Sequence, residues 1–236
     1  MSAPLVIFDF DGVIADSEII ALAELQDCLA DHGLTLPMDS LIDRFLGASL
    51  SSITAALAEH TGAPVHDDFR EVWYARLFDR YRRELQPVPG IMALLDRLDC
   101  DGVDYCIASG SSDRRLGVAL ECLDLAGRFH GRAFSADDVA RGKPAPDLML
   151  FAAARRGRTP GDCIVVEDAT AGVTAARSAG MRAIGFVGGT HLAPVAKRQA
   201  ERLARAGTFA TSANHAQTAE LLLGVPSRRP VDRVED

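Results

Sequence analysis

The sequence predicts a doubly wound, Rossmann-like α/β core with a parallel sheet and an inserted α-helical cap. Three observations predict it. Four short runs, LVIFDF (5–10), DYCIAS (104–109), CIVVED (163–168) and RAIGFV (182–187), are near-continuously apolar rather than alternating, as parallel strands covered on both faces are. Helical stretches separate the later runs, which is the strand–helix rhythm of a wound sheet. Residues 16–86 hold no convincing strand.

The first strand is expected over 5–10. It contains two carboxylates, Asp9 and Asp11, where an unpaired buried charge is expensive. Gly12 then lets the chain turn away. SEIIALAELQDCLADHG reads as a helix ending at Gly33, and SSITAALAEHTG as a second ending near Gly62. FREVWYARLFDRYRREL places Phe69, Trp73, Leu77 and Tyr81 four apart along one helical face. Residues 16–86 contain no Lys and carry six Arg against thirteen Asp plus Glu, a balance of −7. PVPG (87–90) returns the chain to the core. The expected division is therefore a core of 1–15 and 87–225, a helical cap of 16–86, and a polar, frayed tail of 226–236. Further helices are predicted over 113–124, 147–156 and 170–179, with Gly157 and Gly180 placed as C-terminal caps.

Composition narrows the function. The chain has 236 residues, 48% of them hydrophobic and only 6% aromatic, so the core is aliphatic and of one globular unit's size. No run of about 20 apolar residues exists, which argues against a membrane span. The start lacks a basic region, and its apolar run breaks at Asp9, so a secretory signal does not fit. The five cysteines are scattered without a CxxC pair, as expected of reduced thiols in a cytoplasmic protein. Net charge is −8 with a pI near 5.2, and no basic face is visible, which speaks against nucleic acid as partner. Any anion must be bound by a local reversal of the field. A monomer is the default.

Sites in open α/β sheets form at the carboxyl ends of strands. Here those ends carry Asp9-Phe10-Asp11-Gly12, then Ser109-Gly110-Ser111-Ser112, then Glu167-Asp168, with Gly142-Lys143-Pro144 before a helix. Four carboxylates cannot all ionise side by side without a cation. A hard divalent ion such as Mg²⁺, with Asp9, Asp168 and Glu167 as oxygen ligands, answers that need; no His/Cys cluster suits zinc. Ser109 and the amides after it, starting with Gly110, could hold an anion, and Lys143 could neutralise a phosphoryl group. The chain has only two lysines, Lys143 and Lys197. Ser111, Ser112, Asp113 and Asp147 read as helix caps. Trp73, Tyr74 and Arg76 read as cap packing, the alternative for Arg76 being contact with a substrate anion.

DFDGV, then a Ser, then GKPAPD, then VVEDATAG, in this order, resembles the haloacid dehalogenase superfamily, and the subgroup similar to β-phosphoglucomutase and its phosphatase relatives in particular. With the helical insert, the resemblance spans nearly the whole chain. It implies Asp9 as the nucleophile that becomes an aspartyl phosphate, and Asp11 as the general acid/base. It further implies Ser109 and Lys143 as holders of the phosphoryl group, and Glu167 and Asp168 as the acidic pair of a Mg²⁺ site. Asp9 and the backbone carbonyl of Asp11 would complete that site. Asp11 argues against a dehalogenase, which has no acid/base Asp there. The mutases carry a His early in the first cap helix and an Arg in the loop after the second; Ala21 and Leu50 stand near those positions. The resemblance therefore favours a phosphatase acting on a small phosphorylated metabolite, a sugar phosphate or a phosphorylated sugar acid. A phosphosugar mutase is the alternative, and a receiver-like phosphate-binding protein is the non-enzymatic one. The loop FLGASLSS (45–52) is a candidate for substrate selection, equally readable as a turn between helices.

Overall fold

The computed structural model describes residues 3–45, 50–65 and 69–224, the side chains of residues 50 and 51 excepted. Its sheet is six-stranded and parallel throughout: β1 (Leu5–Phe8), β2 (Tyr105–Ala108), β3 (Ala133–Phe134), β4 (Cys163–Glu167), β5 (Arg182–Phe186) and β6 (Ala210–Ser212), in the order β3-β2-β1-β4-β5-β6. The strand order reverses at β1, so a crevice opens beyond its carboxyl end, between the branch leading to β2 and the one leading to β4.

Successive residues of β1 face opposite layers. Val6 and Phe8 join one apolar cluster, and Leu5 and Ile7 the other, all without exposure. The second layer is made by α7 (Asp147–Arg155), α8 (Thr170–Ser178) and α9 (Ala196–Ala206), whose buried residues include Leu148, Val173 and Leu203. The first layer contains α5 (Ile91–Cys100), α6 (Asp113–Cys122) and α10 (His215–Leu223). Burial on both faces is why these strands are apolar at every position.

Between β1 and α5 come α1 (Glu18–Asp31), α2 (Met38–Phe45), α3 (Leu50–Thr61) and α4 (Phe69–Glu84), the inserted helical cap. Phe69, Trp73, Leu77 and Tyr81 are all buried along one face of α4, as their spacing predicts, and Tyr74 and Phe78 widen that face. The chain leaves the core and returns to it along paired segments: Asp16 N–H donates to Gln86 O (3.0 Å), Val88 N–H donates to Ile14 O (2.8 Å), and Ala15 bridges Pro87 antiparallel. A polar seam joins α4 to α6. Arg114 meets Glu71 (2.6 Å) and lies over the Tyr74 and Phe78 rings, while Tyr74 Oη is 3.1 Å from Ser112 Oγ.

The structure departs from the sequence reading in bounded ways. β1 and β4 stop one or two residues before their predicted ends, so Asp9 and Asp168 lie beyond the strands, although Asp9 N–H still donates to Val166 O (2.9 Å). α2 is additional; it buries Leu41, Ile42 and Phe45, and Phe45 is its last residue rather than loop. β3 and β6 are additional too, with only 2 and 3 residues to signal them. Gly157 and Gly180 follow their helices at positive φ, 64° and 78°. Residues 46–49 of the expected selection loop, and the expected tail, lie outside the described residues. Cys28, Cys106 and Cys163 are buried, Cys100 is exposed, and all five cysteines are free thiols. Among the described residues, no helix is long and apolar enough to cross a membrane.

Candidate active site

The carboxyl edge of the sheet gathers every residue that the sequence singled out for chemistry. Asp9 follows β1, Ser109 and Gly110 follow β2, Glu167 ends β4, Asp168 follows it, and Lys143 arrives on the loop before α7. Asp9, Asp11, Glu167 and Asp168 are 7%, 9%, 1% and 2% exposed, so four carboxylates share one buried edge.

Lys143 ties two of them together. Its Nζ donates to Asp9 Oδ1 at 2.6 Å and to Glu167 Oε2 at 2.7 Å. The other Glu167 oxygen accepts the Ala169 N–H at 3.2 Å. Burial shifts the Asp9 carboxyl well up, and the Glu167 charge adds to this while Lys143 opposes it. Burial likewise raises Glu167, against the pull of Lys143. One lysine shared by Asp9 and Glu167 is too little cation for two buried carboxylates beside Asp168.

Oxygens of Asp9, Glu167 and Asp168 lie within 4.8 Å of one another. Asp168 Oδ2 is buried without a hydrogen-bond partner. A buried carboxylate oxygen without a hydrogen bond beside two more, with no thiolate near and one imidazole, His191, only at ion-pair distance, fits a hard divalent cation such as Mg²⁺.

Two glycines make this packing possible. Gly12 adopts φ +78°, and a Cβ there would overlap the Asp168 carboxylate. A Cβ on Gly172, in the first turn of α8, would overlap the Glu167 carboxylate. Glycine in VVEDATAG is thus a requirement of close approach, despite its cost inside a helix.

Asp11 has a separate environment. Its Oδ1 accepts from Ser17 Oγ (2.6 Å) and Arg115 Nη2 (2.8 Å), and its Oδ2 from Ser111 Oγ (2.6 Å) and, more loosely, Ser109 Oγ (3.5 Å). Burial pushes its carboxyl up, but Arg115 and the Ser111 and Ser17 hydroxyls outweigh burial and hold it low. Arg115 also donates to Glu18 (3.2 Å) and to Tyr81 Oη (3.2 Å), so it touches core and cap at once.

Several of these contacts escaped the sequence reading. Ser111, expected as a cap, contacts Asp11; Ser112 is the N-cap of α6 and accepts from Arg115 N–H (3.3 Å). Ser17 stands at the N-cap position of α1 yet makes no cap bond. His191 was assigned nothing; it arrives on the loop after β5 with Nε2 3.1 Å from Asp168 Oδ2, an ion-pair distance at an angle that forms no hydrogen bond. Burial opposes the charged imidazole, but Asp168 outweighs it and raises its pKa. Gly188-Gly189 before it was the available signal, since a Cβ on Gly189 would stand 2.7 Å from Gly12 O and from the His191 ring. Arg76 and Asp147 stay with their packing and helix-start roles. Arg76 pairs with Asp31 (2.8 Å), and Asp147, in the first turn of α7, pairs with Arg141 (2.9 Å).

A cavity of about 260 Å³ opens above this edge, with Asp9, Gly110, Lys143 and Asp168 on its floor and α1 to α4 above. Trp73, expected only as packing, is one of its walls.

Residues 6–186 match the family model of the haloacid dehalogenase-like hydrolases. The chain is 30% identical over 194 residues to the 6-phosphogluconate phosphatase of Escherichia coli K12, covering 80% of this chain and 85% of that protein. It is 32% identical over 194 residues to the β-phosphoglucomutase of Bacillus subtilis 168, covering 76% and 81%. A crystal structure of a haloacid dehalogenase-like protein of unknown function from Agrobacterium tumefaciens C58 superposes with a TM-score of 0.81 at 32% identity, over 94% of this chain and 99% of that one.

Proposed function

The chain belongs to the haloacid dehalogenase-like hydrolases and is a phosphoric monoester hydrolase, and from that premise we propose that it is a Mg²⁺-dependent phosphatase acting on a small phosphorylated metabolite, a sugar phosphate or phosphorylated sugar acid, through an aspartyl phosphate on Asp9. The observation that carries this reading is the division of labour two residues apart. Asp9 is held by Lys143 among the metal-type carboxylates, while Asp11 is held by Ser17, Ser111 and Arg115.

In the first half-reaction the Asp9 oxygen that Lys143 leaves free attacks phosphorus. The bond from phosphorus to the leaving oxygen breaks, and Asp11 gives that oxygen its proton. In the second, the Asp11 carboxylate takes a proton from water, the water oxygen attacks phosphorus, and Asp9 is released with inorganic phosphate. Lys143, the Ser109 hydroxyl and the Gly110 amide stabilise charge on the phosphoryl oxygens. Asp9, Asp168, Glu167 and the Asp11 carbonyl would hold Mg²⁺, which when bound would supply Lewis-acid neutralisation of the same charge. The donors around Asp11 favour its carboxylate, the form that the second half-reaction uses.

Asp9→Asn is the direct test: phosphate release from a panel of phosphomonoesters is expected to disappear, and unchanged turnover sinks the nucleophile role. The mutase reading has a relative behind it, the Bacillus enzyme. Against it stands Ala21, which lines the cavity where the resemblance places a mutase His. Incubation with β-glucose 1-phosphate separates the two readings: a phosphatase accumulates inorganic phosphate and a mutase glucose 6-phosphate. A receiver-like protein would only dephosphorylate itself slowly.

A further inference from the structure

The cap side of the cavity is apolar but for Glu18 at the start of α1, which Arg115 holds. Ala21, Leu22 and Leu25 of α1, Phe45 of α2, Ile53 of α3 and Trp73 of α4 form the rest. Trp73 Nε1 is buried without a hydrogen-bond partner. A leaving group seated under this roof therefore meets mostly carbon surface, with Glu18 already paired to Arg115.

The charges of the cavity are already committed to one another. Five carboxylates line it, those of Asp9, Asp11, Glu18, Glu167 and Asp168, against two cations, Lys143 and Arg115. Each cation is shared by two carboxylates: Lys143 by Asp9 and Glu167, Arg115 by Asp11 and Glu18. A divalent ion and the phosphoryl group add two positive and about two negative charges, so the excess of acid stays. Among the described lining residues, none is left to pair a second anion.

Resting on the phosphatase reading above, we propose that the substrate is a monophosphate with an uncharged leaving group, whose ring lies with its C–H face against Trp73. A second anionic group, whether carboxylate or phosphate, is rejected. Such a group would be buried among carboxylates without a partner, where charge is most costly. A neutral sugar ring has what the roof asks for: apolar C–H faces to lie against the indole and the aliphatic side chains. Of the two substrate classes proposed, the neutral sugar phosphate is therefore taken and the sugar acid phosphate refused. The refusal comes from unpaired charge more than from lost attraction, which is the stronger route to specificity.

The test compares kcat/KM, with Mg²⁺ present, for methyl phosphate, a neutral hexose 6-phosphate, the matching aldonic acid 6-phosphate and the hexose bisphosphate. The neutral ester is expected to exceed both multiply charged ones by about tenfold or more, chiefly through KM. Equal or better turnover of the acid or the bisphosphate overturns the inference and leaves the phosphatase reading standing. No turnover of any ester, methyl phosphate included, overturns the phosphatase reading and this inference with it. Two variants probe the roof. Trp73→Phe is expected to raise KM for the hexose phosphate several-fold more than KM for methyl phosphate; an equal effect on both removes Trp73 as the ring's partner. Leu22→Arg is expected to narrow the gap between the acid and the neutral ester. An unchanged gap in a variant whose thermal unfolding matches the parent overturns the charge argument.

Discussion

Asp11 has more donors around it than any other carboxylate of the site, and they explain both what it does and why sequence alone could not say so. Asp11→Asn keeps the shape but cannot take the proton from water; kcat is expected to fall about 10²- to 10⁴-fold, with competitive inhibition by inorganic phosphate retained. Unchanged kcat would remove Asp11 from the chemistry. Gly172→Ala is a second test at this scale. Within a helix such a change ordinarily adds about 1 kcal/mol of stability; here the new Cβ overlaps the Glu167 carboxylate. Stability in urea is expected to drop instead, and the Mg²⁺ concentration for half-activation to rise. Asp9, Glu167 and Asp168 were legible because each stands in a compact motif at a strand end, and Lys143 because it stands in one just before a helix. Ser17, Ser111, Arg115 and His191 were not. Their meaning lies in contacts across 6, 100, 104 and 23 positions of sequence, and a serine before a helix looks the same whether it caps the helix or holds a carboxylate.

At the scale of elements, buried spacing was the readable signal. The face of α4 was visible because aromatic and aliphatic residues recur at four-residue intervals, and Leu77 at its centre is fully buried. Leu77→Ala is expected to cost about 2–5 kcal/mol, read from urea unfolding, because it leaves a cavity in a fully buried site. The four long apolar strands were legible for the same reason. β3 and β6 were not, since 2 and 3 residues at the sheet edges give no pattern to count. α2 escaped because only Leu41, Ile42 and Phe45 of its eight residues are buried, too short a run beside the longer helices.

At the scale of the whole molecule, His215 links the last helix to the site-bearing loop. Its Nε2–H donates to Val13 O (2.9 Å), its ring stacks on Phe186 at 4.4 Å, and Nδ1 is buried without a partner. Burial outweighs the bond to Val13 and holds its pKa down to about 4, against an ordinary value of 6.5. The folded state thus resists a proton that the unfolded chain accepts. The stabilisation is complete above about pH 6.5 and is lost as pH falls toward about 4, to a total of about 3 kcal/mol. Urea midpoints at pH 7.5 and pH 5 are expected to differ more for the parent than for His215→Gln; equal slopes would dismiss the imidazole as the source.

The paired segments at Ile14–Asp16 and Gln86–Val88 have a consequence of a different order. Because exit and re-entry run side by side, the intervening stretch is a pendant whose two roots share one socket. Among the described residues no strand of the sheet lies within it. A lineage can therefore exchange, lengthen or redecorate the pendant while the sheet beneath retains its wiring. Reaction and choice of substrate are free to diverge at separate rates within a single chain.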